Sequence, residues 1–194
     1  MTLQQPHGGA GGDVCRCKWA QANAQLRAYH DTEWGQPVRD SRQLWEMLVL
    51  ETFQAGLSWN TVLQKRENFK KAFAGFIPQK VALLTPEDEA RLAQDGGIIR
   101  SKSKIAATIA NARAWLAMHE AGEDFADFAW GMVPGAPIRN RSGQVLSQSA
   151  QSRALSAALK QRGFRFVGPV IVYAWMQAVG MVDDHEPTCF RYQP

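Results

Sequence analysis

Long apolar runs are missing from this sequence. No stretch approaches the ~18 residues that a transmembrane helix needs, and the opening MTLQQPHGGAGGDV lacks the apolar segment of a secretory signal. Cysteine is scarce too. The three present are Cys15 and Cys17, crowded into CRC, and the distant Cys189, so no disulfide framework is available and a reducing compartment with a metal or free thiols is expected. Convincing period-two alternation is absent, as is any internal repeat, which removes sheet-rich and solenoid architectures and leaves an all-α fold. Charge excess is small: 22 Lys and Arg against 18 Asp and Glu, a net +4, permit a nucleic-acid partner without requiring one. A cytosolic protein without membrane contact is the expectation.

What is present supports a buried core. With 194 residues and 45% hydrophobic content, the chain is long enough for one domain. Residues 1–14 are Gly-rich and read as a disordered tail, leaving 15–194 as the folded domain. Asp40 or Ser41 can cap a helix spelled LWEMLVLETFQA over 44–55, and NTVLQKRENFKKAFAGF, with Val62, Leu63, Phe69 and Phe73, reads as the next. Thr85-Pro86-Glu87-Asp88 is a helix start, and Gly96-Gly97 its stop. Ile105, Ile109, Ala112 and Leu116 form one face of a long helix from Ser101 to Gly122. SRALSAALKQRG, closed by Gly163, and PVIVYAWMQAVG, closed by Gly180, complete the helical set. Pro, Gly and Ser crowd residues 132–149, which read as a surface loop.

Three groups of residues carry chemistry. The segment VDDHEPTC offers His185 and Cys189, half of a tetrahedral site. With His7 in the tail and His119 at a charged helix end, the remaining candidates are His30 and Cys17, with Cys15 competing for the same position. Two thiolates and two imidazoles suit zinc and would tie the chain ends together, although a satisfied histidine beside a free thiol fits the spacing equally. On the 44–55 helix, Glu51 shares a stripe with Leu44, Leu48 and Ala55 among residues that are apolar almost all round. A carboxylate shielded there needs a partner, a raised pKa or a task. Tyr29, Trp34 and Trp59 lie in the same part of the sequence. Alone they read as core, but beside a buried carboxylate they would form a cage for a flat cation. Finally, LKQRGFRFVG (159–168) sets two glycines five apart among Lys160, Arg162 and Arg165, either an ordinary Gly-capped turn or a phosphate-binding hairpin.

The segments CKWAQANAQLRAYHDTEWG, LETFQAGLSWNTVLQKRENF, GIIRSKSKI, ALKQRGFRFVG and VDDHEPTC, in order over about residues 15–192, resemble the DNA-3-methyladenine glycosylase I family. The resemblance implies a helix-hairpin-helix DNA glycosylase fold, with the hairpin unit at about 152–180. It implies structural zinc on Cys17, His30, His185 and Cys189, choosing Cys17 over Cys15 through the shared Cys-x-Trp start. It implies a base pocket of Glu51, Tyr29, Trp34 and Trp59, with Glu51 as the catalytic residue, and DNA contacts at Lys160, Gly163, Arg165 and Gly168. The activity implied is release of N3-methyladenine from double-stranded alkylated DNA by a monomeric enzyme of the bacterial cytosol or nucleoid, without a nucleotide cofactor. Asp183 stands where the family often has Asn, and either assists catalysis or caps the chain beside His185. Two other classes compete: a zinc-stabilised module that binds damaged DNA without cutting a bond, and, more distantly, a small-molecule enzyme. Glu51 in an aromatic setting separates the first of these from the glycosylase.

Overall fold

The computed structural model describes residues 14–142, 144 and 146–193. The proposed tail therefore lies outside the described residues except for Val14, which is exposed. Ten α-helices occur among the described residues: α1 (Ala24–Thr32), α2 (Ser41–Gln54), α3 (Trp59–Gln64), α4 (Arg66–Ala72), α5 (Pro78–Val81), α6 (Pro86–Leu92), α7 (Lys102–Glu120), α8 (Phe125–Gly131), α9 (Ala150–Gln161) and α10 (Pro169–Ala178). Two short strands, β1 (Ile138–Arg139) and β2 (Val182–Asp183), pair in parallel with Ile138 opposite Val182. The fold is thus mostly helical rather than strictly all-α. A pair of two-residue strands drawn from distant segments leaves no periodic trace in a sequence.

The architecture is centred on α2. Asp40 caps it by accepting from the Gln43 N–H at 2.8 Å, and every residue from Leu44 to Phe53 is buried. A helix apolar on all sides must be enclosed by others. α10 lies against it, with the indole N–H of Trp175 donating to the Leu44 carbonyl at 2.9 Å. At the far end of α2 the buried ammonium of Lys104 donates to the Phe53 and Ala55 carbonyls at 3.0 and 2.6 Å, satisfying acceptors that the helix leaves open. Burial lowers the pKa of this lysine, yet its partners all accept hydrogen bonds.

The turn after α10 is packed backbone to backbone. Gly180 has φ +76°, and a Cβ there would stand 2.7 Å from the backbone of Gln36 and Pro37. The same linker is stitched to the helix end by Gly35 N–H to the Ala178 carbonyl and Val38 N–H to the Val179 carbonyl, both 3.2 Å. This crossing brings the linker between α1 and α2 against the end of α10.

Several boundaries differ from expectation. The segment read as one helix from Asn60 is split at Lys65, whose N–H turns back to the Val62 carbonyl while its ammonium reaches the Gly96 and Gly97 carbonyls. α6 stops at Leu92, before the glycines that were expected to end it, whereas its Thr85–Asp88 capping box is formed as read. The 132–149 segment, expected as a surface loop, contributes β1 and a wall of the main cavity; Gly143 and Val145 lie outside the described residues.

Candidate functional site

A cavity of about 840 Å³ is lined by residues from Cys17 to Tyr192. Its wall carries Tyr29 from α1, Trp34 just after it, Glu51 and Gln54 from the last turn of α2, and Trp59 at the start of α3. All four residues expected to form the base pocket are therefore brought together. Glu51 is 5% exposed, its Oε2 has no hydrogen-bond partner among the described residues, and burial pushes its pKa up to about 8. The Tyr29 hydroxyl and the Trp59 indole N–H are also buried without partners. The phenol is held well above its ordinary pKa, first by burial and then by Glu51. Three orphan polar atoms, an indole donor and two groups able to donate or accept, in one aromatic cavity leave hydrogen-bonding capacity open to a polar ring.

The aromatic wall has a member that sequence reasoning did not single out. Trp19 lines the cavity, its ring 5.2 Å from Trp34 at 74° and 6.3 Å from Tyr29. Its position two residues after Cys17 was the available signal. Asn140, Arg141 and Gln144, from the segment expected as a surface loop, also line the cavity.

The wall rests on the histidine and cysteine group. Cys17, His30, His185 and Cys189 place one ligand atom each within 4.8 Å of one another. Cys15 is exposed and outside the group. His185 Nδ1 stands 3.6 Å from both sulfurs, and His30 Nε2 is 3.4 Å from Cys189 Sγ. In tetrahedral zinc, Zn–S and Zn–N bonds of ~2.3 and ~2.05 Å give sulfur–nitrogen edges of ~3.5 Å, so the spacing fits that ion. The surroundings fit as well. His30 Nδ1 pairs with Asp31 at 2.8 Å, which fixes Nε2 toward the group, and Arg16 holds the Asp31 carboxyl below its usual range. The N–H groups of Glu186 and Arg191 point to the two sulfurs at 3.3 and 3.5 Å. Burial keeps His185 neutral, with a pKa lowered to about 4, the form that ligates. Burial also pushes the Cys17 thiol up to about 12, so the thiolate needs a bound cation to exist at neutral pH. Trp34 stacks 6.1 Å from His30 at 19° and meets His185 edge-on at 4.7 Å, joining this group to the cavity.

Asp183 does not line the cavity. Its Oδ1 accepts from the His185 N–H at 3.3 Å, and Oδ2 is 3.8 Å from Arg139. The neighbouring Asp184 does line it, held by Tyr173 and Gln177 at 2.6 Å each.

The turn between α9 and α10 carries Gly163, Arg165 and Gly168, and Lys160 sits in the last turn of α9. Gly163 has φ +88°, the left-handed turn that closes α9, and Gly168 opens α10. Lys160 and Arg165 are exposed. Arg162, which was also expected to add free charge, is engaged by both carboxylate oxygens of Glu123 at 2.6 and 2.8 Å.

Comparison with known proteins agrees with this geometry. The family model described as methyladenine glycosylase matches residues 19–192. DNA-3-methyladenine glycosylase 1 of Escherichia coli K12 is 49% identical over 180 residues, covering 91% of this chain and 96% of that protein. A crystal structure of 3-methyladenine DNA glycosylase I superposes with a TM-score of 0.89 at 49% identity, covering 92% of this chain and all of the other. The Staphylococcus aureus enzyme, solved to describe its recognition of 3-methyladenine, gives 0.84 at 34% identity and covers 94% of this chain and 100% of its own. The chain belongs to the methyladenine glycosylase family, and is an enzyme of the DNA glycosylase class.

Proposed function

We propose that this enzyme releases N3-methyladenine from alkylated double-stranded DNA by hydrolysing the base–deoxyribose bond, without cutting the strand. The observation that carries the reading is the buried, unpartnered Glu51 carboxyl among Tyr29, Trp34, Trp59 and Trp19. The names of the relatives, one of them solved for its 3-methyladenine recognition, support the same substrate. N3-methyladenine is cationic within DNA and leaves as a neutral base. The N9–C1′ electron pair departs with the base, water oxygen bonds to C1′, and one water proton goes to solvent. A strong general acid is therefore unnecessary, and selection of the base is the main task. The methylated ring stacks on the indoles and phenol, and its positive charge favours the ionised form of Glu51, which accepts its hydrogen bonds. Unmodified adenine brings no charge to repay ionising a carboxyl whose pKa is about 8.

Reaching the cavity requires the nucleotide to leave the stack, at a cost of a few kcal/mol, while the hairpin with Lys160, Gly163, Arg165 and Gly168 holds the backbone. Zinc on Cys17, His30, His185 and Cys189 is structural in this reading, since four protein ligands leave no position open for water. Asp183 acts by holding the His185 backbone. Residues 15–194 form one domain, with the helix-hairpin-helix unit at about 152–180, and work as a monomer in the cytosol. No helix among the described residues is long and apolar enough to cross a membrane.

The test is incubation with duplex DNA containing N3-methyladenine and chromatography of the released small molecules. Free 3-methyladenine from the wild type, with release at pH 7 reduced on the order of 10²-fold in Glu51→Gln, is the expected result. No free base from a protein that still binds DNA and metal would leave a non-catalytic damage-binding module instead.

A further inference from the structure

Charge is distributed unevenly over the cavity wall. Three carboxyl groups line it, those of Glu51, Asp184 and Glu186, against a single arginine or lysine among the described residues, Arg141. Two of the acids are engaged: Asp184 Oδ2 accepts from Tyr173 and Gln177 at 2.6 Å each, and Glu186 Oε1 accepts from the Lys18 N–H at 2.8 Å. Arg141 is exposed, and its guanidinium makes no hydrogen bond or ion pair among the described residues. Arg139, from the same segment, is different: it donates to the Gln193 side chain at 2.7 Å and lies 3.8 Å from Asp183.

The backbone that bears Arg141 is held on both sides of it. Before it, the Ile138 N–H donates to the Met181 carbonyl at 2.9 Å and the Asn140 N–H to the Asp183 carbonyl at 3.2 Å, which anchors the segment to the strand leading into Asp184. After it, the Asn140 side chain folds the chain back: Oδ1 accepts from the Ser142 N–H and hydroxyl at 3.0 and 2.6 Å, and Nδ2 donates to the Gln144 carbonyl at 2.7 Å. Arg141 lines the cavity and is exposed as well, so it stands at the rim, on a fixed stem with its charge unspent.

The two parts of the substrate make opposite demands on such a wall. A methylated base is cationic and suits a cavity lined by carboxyl groups, whereas the phosphodiesters on either side of the same nucleotide are anionic and are repelled by them. A guanidinium against the base would oppose its binding, but one at the rim meets the backbone that stays outside. We propose that Arg141 binds a phosphodiester flanking the extruded nucleotide, its planar fork donating to the phosphate oxygens. The inference rests on the glycosylase reading above and extends it to the segment between α8 and α9. It also gives the cavity a reason to prefer a base carried on a strand, since free 3-methyladenine has no phosphate to offer Arg141.

The experiment compares Arg141→Ala and Arg141→Lys with wild type on a duplex bearing one tetrahydrofuran abasic site, in which the two flanking phosphates are replaced in turn by uncharged methylphosphonates. Duplex affinity is read by fluorescence anisotropy across a potassium chloride series, free 3-methyladenine affinity by tryptophan fluorescence, and base release from an N3-methyladenine duplex by chromatography. Arg141→Ala should weaken binding of the all-phosphate abasic duplex on the order of 10-fold and reduce the slope of log affinity against log salt by about one. Free-base affinity should stay within about twofold of wild type, because the contact lies outside the base pocket. Neutralising the contacted phosphate should weaken wild type by a similar factor and Arg141→Ala by less than about twofold, since both changes remove the same interaction. Arg141→Lys, which keeps the charge without the fork, should retain the slope and lose only part of the affinity. A slope unchanged in Arg141→Ala overturns the proposal, as do methylphosphonate losses that are equal in wild type and Arg141→Ala at both positions. So does a parallel fall in free-base and duplex affinity, which would put Arg141 in the frame of the base pocket instead. A wild type that releases 3-methyladenine without coupling between Arg141 and either phosphate overturns the contact and keeps the glycosylase. Coupling in a wild type that releases no base does the reverse.

Discussion

Glu51 concentrates the chemistry at the scale of single residues. Its carboxyl titrates near 8 in the folded protein against 4.5 when solvated, because burial disfavours the charge. The folded state then holds a proton that the unfolded state has lost between those values, so this group's contribution to stability is full below about pH 4.5 and declines as pH rises through about 8. Glu51→Gln, which stays neutral, should therefore match wild-type stability at pH 5 and exceed it by a few kcal/mol at pH 9 in urea unfolding, while losing excision. Equal stability at both pH values would show that Glu51 ionises freely. The sequence makes this residue legible because a lone acid on an all-apolar helix is conspicuous. Trp19 is not legible in the same way. A tryptophan reads as core until its neighbours in space are known.

Helix caps carry most of what the sequence reveals about the elements. Asp40 and Thr85, both read as helix starts, accept from the first turn of the helix they open; Ser149 does the same for α9 although the 132–149 segment reads as loop. Two capped elements are less visible all the same: α8, opened by Asp124, spans seven residues, and α1, opened by Asn23, is polar overall, its buried face being Leu26, Tyr29 and His30. The break at Lys65 also escapes, since its cause is a lysine reaching carbonyls 31 and 32 residues away. The turn closing α10 makes a firm prediction at this scale. Gly180→Ala introduces a left-handed alanine and a contact with the backbone at 36–37 that no rotamer relieves. It should cost roughly 2–5 kcal/mol in denaturant unfolding. A loss below about 1 kcal/mol would mean that the linker yields easily.

Across the whole molecule, ligand atoms from residues 17 and 30 meet those from 185 and 189, and the aromatic wall leans on them. The proposed zinc would stabilise the native state by mass action, so a strong chelator should lower the melting temperature on the order of 10 °C, with one zinc per chain released in a colorimetric assay. Loss of tryptophan fluorescence response to free 3-methyladenine should accompany it, because Trp19 and Trp34 pack against His30. A chelated protein with unchanged melting would remove the structural role. The proposed ligand set would also impose a timetable during synthesis. A ribosome makes Cys17 and His30 early, but the cavity wall they support has nothing to close against until His185 and Cys189 have emerged. Tyr29, Trp34, Glu51 and Trp59 are all translated long before that moment, so the half-made chain would carry the proposed recognition residues without the frame that aligns them. On the proposed reading, competence to excise a base arrives late and all at once, in a molecule that is already made through Cys189.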